Sequence, residues 1–355
     1  MLRIDFVNNQ NTYKNIKPQP AYHTPGINKL GLDKDVFVSF GSQKNLGSTT
    51  PINRLLNQFD NEINALFPDI DGTIKDFNGK IPESARVALN DVEDNNINIV
   101  ISTGRTYTEG KDLYKQLGIK PNYMITQQGA EIIDKYGNII YQKHIDIDAA
   151  RNIVDSFEEY KLKTNNKAAQ IVLYVDGKPY AVNKFKLPHN WEEITLVESF
   201  QELLDRGKPP TKILLYEPEG DKDNSKKIYQ MIDFMGKKLP DTYTLGHTAK
   251  HYSEITNPEA TKGNAVKVVL ELMNIDIANS ASIGDSENDL DMLKTVRQGG
   301  GLSICMGNAL NSVKNIAEYE TEHIDENGFS IAMNNILENN RKIAQHKNKL
   351  NESFK

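Results

Sequence analysis

Two acidic segments stand far apart in the chain, Asp69-Ile70-Asp71-Gly72-Thr73 and Gly284-Asp285-Ser286-Glu287-Asn288-Asp289, each after an apolar run that reads as a strand. Aspartates converging from two strand ends repel one another unless a hard cation lies between them, and oxygen ligands with retained waters are what Mg²⁺ takes. Such a cation attracts phosphate, so the chemistry to expect is magnesium-dependent phosphoryl transfer. Asp69 is the natural nucleophile, because a carboxylate can form an aspartyl-phosphate that divides one hard displacement into two easier ones. Asp71, two residues on, is placed to protonate the leaving alkoxide and later to take a proton from the attacking water. Gly72 allows a sharp turn after the strand, and Thr73 can hydrogen-bond locally to hold it.

A scaffold must bring those strand ends together. An open parallel α/β sheet does so, since its ligands bind beyond the carboxyl ends of the strands. From Ile63 the sequence alternates accordingly: Ile63 to Phe67 leads into the first acidic segment, and Pro82 to Asn95 carries Ala85, Ala88, Leu89 and Val92 at helical spacing. Ile97 to Ile101 is almost continuously apolar, as a strand buried on both faces should be. A helix over Tyr107 to Leu117, a strand over Tyr123 to Thr126 and a hairpin over Glu131 to Tyr141 follow. The fold class expected is α/β, a Rossmann-like parallel-sheet core domain over residues 61–145 and 251–337. Between them, residues 146–250 read as an inserted α+β cap domain. Its strands are expected at Gln170 to Tyr174, Pro179 to Val182, Lys212 to Tyr216 and Tyr243 to Leu245, with helices at Ala149 to Tyr160, Phe200 to Asp205 and Ser225 to Met235. Residues 1–60, rich in Asn, Gln, Lys, Gly and Pro, read as a flexible arm in which only Val36-Phe37-Val38-Ser39-Phe40 has strand character. Residues 338–355 read as a polar tail, a frayed helix or disorder.

Four segments in order, Asp69 to Thr73, Ser102-Thr103-Gly104-Arg105, Lys262-Gly263 and Gly284 to Asp289, together resemble the haloacid dehalogenase-like phosphohydrolases. The Cof-like branch, whose cap lies between the second and third segments, is the nearest match. Met306-Gly307-Asn308-Ala309 and Asn327-Gly328-Phe329 resemble its closing segment. The resemblance implies that Asp69 is nucleophile and metal ligand, that Asp71 is acid/base and ligates through its backbone carbonyl, and that Asp285 completes the Mg²⁺ site. It further implies that Thr103 and the Gly104 N–H hold a phosphoryl oxygen, that Lys262 neutralises charge, and that Asn288 and Asp289 orient Lys262, metal waters or phosphate. Each segment alone has a plainer reading: a surface turn at Asp69 to Thr73, a solvated helix lysine at Lys262, a strand-ending turn at Thr103, a helix cap at Asn288 and Asp289. Two departures stand out. Pro68 precedes the nucleophile in a central strand, where proline removes a ladder donor. Gln128-Gly129-Ala130 replaces the family's common Asn-Gly-Ala, giving Gln128 a longer reach toward substrate. Arg105 can clamp a second anionic group of the substrate or pair with a surface carboxylate.

The chain of 355 residues carries a net charge of -6, which argues against a nucleic-acid partner and for a small phosphorylated metabolite. Its one cysteine, Cys305, lies in an apolar run and reads as a buried core thiol. No run reads as a membrane span or signal peptide, so the cytoplasm is the default. The function that the resemblance implies is hydrolysis of a sugar phosphate or phosphorylated cofactor. A phosphomutase of similar architecture, a sucrose-phosphate-type phosphatase and a catalytically silent binding protein are the alternatives; a product assay separates the first, and loss of a motif aspartate would favour the last. Tyr174, Lys184, Lys186, His189 and Trp191 are cap candidates for specificity. The oligomeric state is not legible.

Overall fold

The computed structural model describes residues 49–57, 59–185, 193–218, 224–239, 243–249 and 251–353. The Val36 to Phe40 run and the cap candidates Lys186, His189 and Trp191 lie outside them.

The core is a six-stranded parallel sheet in the order β1 (Thr50–Pro51), β16 (Tyr319–Glu320), β15 (Leu302–Cys305), β14 (Ser280–Gly284), β2 (Ala65–Pro68), β3 (Asn98–Ile99). Every residue of β2, β14 and β15 is buried, as expected for strands covered on both faces. Helices α1 (Glu83–Asp94) and α9 (Gly328–Ser353) pack on one face. The other is covered by α6 (Lys262–Met273) and α7 (Leu290–Gln298), through Val266, Val269, Met292 and Val296.

A second sheet continues sideways from this one: β4 (Ile101–Ser102), β5 (Tyr123–Thr126), β6 (Glu131–Asp134) and β7 (Ile139–Gln142). The run expected as one strand is split at Val100, and Pro68 accounts for the split. Val100 donates its N–H to Leu66 O at 2.8 Å. The next bond in a parallel ladder would come from the nitrogen of Pro68, which has no hydrogen. The loss is one-sided, because Asp69 still donates its N–H to Ile283 O on β14 at 3.0 Å. Helix α2 (Tyr107–Leu117), opened by a Thr106/Glu109 capping box and closed by Gly118 at φ 76°, joins β4 to β5.

The inserted unit is a mainly antiparallel sheet in the order β10 (Thr195–Leu196), β9 (Lys178–Ala181), β8 (Gln170–Val175), β11 (Lys212–Tyr216), β13 (Tyr252–Thr256), β12 (Thr244–Ala249). On one face lie α3 (Ile147–Thr164), α4 (Phe200–Asp205) and α5 (Asn224–Gly236). Helix α8 (Asn311–Lys314) follows β15 in the core.

Three boundaries need correction. Strand β13 ladders between β11 and β12, so the cap sheet runs to Thr256, beyond the expected end at residue 250. The arm assigned to residues 1–60 ends in ordered core structure: β1 pairs with β16, and Ile52 is buried. Residues 338–355 take the helical of their two expected forms, α9 continuing through Ser353, so the boundary at 337 falls inside a helix. There the asparagines do the work of backbone, since Asn340 accepts from Ile63 N at 2.9 Å and donates to Ile63 O at 2.8 Å.

Candidate active site

Adjacent strands β2 and β14 end side by side and deliver Asp69 and Asp285 to one point. Asp289, one short turn later, folds back to join them, and carboxylate oxygens of all three lie within 4.8 Å of one another. Two glycines make this packing possible. A Cβ on Gly284 would sit 2.5 Å from the Asp289 carboxyl carbon, and one on Gly72, at φ +85°, would sit 2.2 Å from Asp285 Oδ2. Asp289 Oδ2 accepts the N–H groups of Asp285 and Ser286 at 3.0 and 3.1 Å. Lys262, the first residue of α6, places Nζ 2.6 Å from Asp69 Oδ1 and 2.7 Å from Asp289 Oδ1, with its side chain fully buried. Thr261 caps that helix, and Gly263 lets its first turn approach the Asp291 carboxylate. Thr73 does not hold its own turn by a local side-chain bond: its hydroxyl reaches Asp285 Oδ1 at 3.3 Å.

Burial sets the electrostatics. It pushes the Asp69 carboxyl up to about 8, with the Asp289 charge adding and Lys262 opposing. Burial and the same Asp289 charge push Asp285 up to about 7, against the Thr73 hydrogen bond and Lys262. Burial works against the Lys262 ammonium too, but the charges and hydrogen bonds of Asp289 and Asp69 outweigh it and hold its pKa above the usual lysine range. Fully ionised, three carboxylates against one ammonium would leave two negative charges, and the cluster's donors are carboxylate oxygens. That set fits a hard divalent cation.

The remaining predicted residues form a second group beside this one. The Asp71 carboxylate stands outside the three-aspartate cluster and is gripped by Arg105, Nε to Oδ2 at 2.9 Å and Nη2 to Oδ1 at 2.8 Å. Arg105 therefore does pair with a carboxylate, but its partner is the acid/base candidate and not a residue away from the site. The Thr103 hydroxyl, buried, accepts from Arg105 N at 3.2 Å. Gly104 packs against the Gln128 amide, which a Cβ would meet at 2.3 Å. Gln128 Oε1 in turn accepts from Asn288 Nδ2 at 3.3 Å. Two contributors carried no sequence signal of their own role. Asn308 donates to Gly72 O at 2.8 Å and accepts from Ile324 N at 3.0 Å, tying the closing segment to the first acidic turn. Gln127, beside the suspected Gln128, is buried between core and cap.

The sequence model of the haloacid dehalogenase-like hydrolases matches residues 66–333. This chain belongs to that family. Among similar proteins, the phosphatase YwpJ of Bacillus subtilis is 26% identical over 280 residues, covering 73% of this chain and 95% of YwpJ. A second B. subtilis protein, the 5-amino-6-(5-phospho-D-ribitylamino)uracil phosphatase YcsE, is 27% identical over 273 residues, covering 77% of this chain and 95% of YcsE. A haloacid dehalogenase-like hydrolase of Bacteroides thetaiotaomicron superposes with a TM-score of 0.64 at 22% identity, covering 78% of this chain and 100% of that one. The subclass IIB sugar phosphatase BT4131 gives 0.60 at 24%, covering 76% and 97%. The match to the haloacid dehalogenase-like fold spans core and cap together and begins at β2, leaving β1 outside the matched region.

Proposed function

We propose that this haloacid dehalogenase-like hydrolase is a magnesium-dependent phosphatase of a small phosphorylated metabolite. The observation that carries the reading is the buried contact of Lys262 with Asp69 and Asp289, set against Asp285 at the ends of two adjacent strands. Asp69 and Asp285 would hold the ion by their carboxylates and Asp71 by its backbone carbonyl. When bound, Mg²⁺ supplies charge compensation for the phosphoryl group. Asp69 attacks phosphorus, forming the Asp69–phosphorus bond as the ester P–O bond breaks, while Asp71, which must first leave its Arg105 pair and take a proton from solvent, gives that proton to the leaving alkoxide. Water then attacks the same phosphorus, Asp71 takes the proton, and the Asp69 carboxylate is released with phosphate. Lys262, Thr103 and the Gly104 N–H compensate charge on the phosphoryl oxygens, and Asn288, Gln128 and Asp289 orient these groups.

The inserted sheet acts as the cap, closing over the substrate and excluding bulk water. A sugar phosphate or phosphorylated cofactor is the substrate class supported by the names of BT4131 and YcsE. No described helix is long and apolar enough to cross a membrane; with one buried cysteine, a reducing cytoplasm is the proposed location. The test is a panel of phosphorylated sugars and cofactors with Mg²⁺, read by phosphate release and by product identity. Phosphate release that chelation abolishes supports the reading. Return of the phosphoryl group to another hydroxyl of the sugar would replace hydrolysis by mutase chemistry, and activity unaffected by excess chelator would overturn the metal assignment.

A further inference from the structure

Three consecutive residues after β5, Gln127, Gln128 and Gly129, have φ of 49°, 59° and 95°. Side chains other than glycine enter this left-handed region at a cost, so two adjacent glutamines there must be held by their surroundings. On the core side the turn touches three active-site segments. Gln127 N donates to Arg105 O at 2.9 Å and Gln128 N to Thr103 O at 3.1 Å, which fixes the loop beside the phosphate side of the site. Gly129 lies so close to the start of α6 that a Cβ would meet Thr261 O at 2.1 Å, immediately before Lys262. Asn288 reaches the Gln128 side chain from the fourth segment.

A further contact comes from the cap. Thr211, the residue before β11, turns its hydroxyl toward Gln127 Oε1 at 2.8 Å and, less closely, toward Tyr174 O at 3.3 Å; Thr211 and Gln127 are both fully buried. Thr211 is itself fixed to the cap sheet, its N–H donating to Tyr174 O at 2.9 Å. The chain linking core to cap runs alongside, with Lys143 N bonded to Ala130 O and Ile145 N to Pro210 O, each at 2.8 Å. The strained turn thus has one side chain in the cap and its backbone in the active-site loops.

Resting on the phosphatase reading, we propose that Gln127 is a positioning residue: its bond to Thr211 makes the placement of the Thr103–Arg105 loop and of Lys262 depend on the seating of the cap. With Thr211 engaged, the left-handed turn is retained and both loop bonds hold. Without it, Gln127 relaxes toward ordinary backbone angles and the Arg105 and Thr103 carbonyls lose their donors.

The test compares Thr211→Val, which keeps shape and removes the hydroxyl, with Thr211→Ser, which keeps it, and with Gln127→Gly, which tolerates the turn and lacks the amide. Hydrolysis of p-nitrophenyl phosphate with Mg²⁺ and amide hydrogen exchange are read on the full chain. Thr211→Val should lower kcat about tenfold, the factor one buried hydrogen bond is worth, with KM changed by less than about twofold. Thr211→Ser should stay near the parent, and Thr211→Val should add nothing in the Gln127→Gly background. Exchange at the Gln127 and Gln128 amides should quicken in Thr211→Val and not in Thr211→Ser. Unchanged kcat and exchange in Thr211→Val, or effects of the two variants that multiply, would overturn the proposal. Should Thr211→Val not fold, Gln127→Ala, which lacks the amide but keeps a Cβ in the left-handed turn, must itself show the kcat loss. A parent protein that hydrolyses no ester would count against the phosphatase reading instead, and the exchange comparison would then decide the coupling alone.

Discussion

Replacing Gly72 by alanine should damage the site by geometry alone, without altering any charged group. The backbone at Gly72 has φ +85°, and holding a residue with a Cβ there costs about 1–2 kcal/mol. The second cost is local to the site. The new methyl would lie 2.2, 2.6 and 2.8 Å from Oδ2, Cγ and Oδ1 of Asp285, distances that no rotation of the methyl relieves. Asp285 must retreat, giving up the Thr73 hydrogen bond and its place beside Asp69; one buried polar group left without its partner costs about 1–3 kcal/mol. The sum is about 2–5 kcal/mol. Gly79 supplies the control. It lies seven residues on at φ +82°, and a Cβ there meets only the Lys75 side chain, at 3.4 Å, so Gly79→Ala carries the conformational cost alone. Denaturant unfolding should show Gly72→Ala well below Gly79→Ala, and phosphate release should require at least about tenfold more Mg²⁺ in Gly72→Ala, as perturbed metal ligands do. Equal stability and equal magnesium dependence in the two variants would refute both the packing argument and the assignment of Asp285 as ligand.

Asp69→Asn should abolish turnover of an aryl phosphate while circular dichroism stays native; retained activity would remove Asp69 as nucleophile. Lys262→Met leaves the buried Asp69 and Asp289 without their shared cation and should cost about 3–5 kcal/mol in urea unfolding, whereas a loss below about 1 kcal/mol would mean the pair is solvated. The pH dependence follows from Asp69 at about 8 and Asp285 at about 7, both above the ordinary carboxyl value of 3.8. The folded chelated protein keeps protons that the unfolded chain releases, so this contribution to stability is complete below the unfolded value and is lost as pH rises through 7 to 8. Added Mg²⁺ competes with those protons, so the gain in Tm on adding it should grow from acid toward pH 8; a gain independent of pH would contradict the raised carboxyls.

What the sequence shows and what it hides divide along a physical line. The helix Tyr107–Leu117 and the strands Tyr123–Thr126 and Lys212–Tyr216 have the limits their apolar patterns mark, because each satisfies its own hydrogen bonds or packs on both faces in a continuous run. The sequence pattern does not mark β13, because Tyr252-Ser253-Glu254-Ile255-Thr256 is mostly polar; the buried Glu254 is paired with Lys212 of neighbouring β11, 2.9 Å away. The same holds in the site. Asp69, Asp71, Lys262, Asp285 and Asp289 were visible as residue types in short segments, whereas the Arg105 grip on Asp71, the Thr73 bond to Asp285 and the Thr211 bond to Gln127 join residues 34, 212 and 84 positions apart. No local pattern encodes such a partner. The distinction bears on what the acidic segments mean. Carboxylates at the surface could remain charged at little cost, and these residues would then be only a turn and a helix cap. Burial makes the excess of two negative charges around Lys262 expensive, and Asp69 and Asp285 show it by drifting toward protonation at neutral pH. A fold that sinks three carboxylates beside one ammonium is incomplete in charge by the amount that a divalent cation would supply.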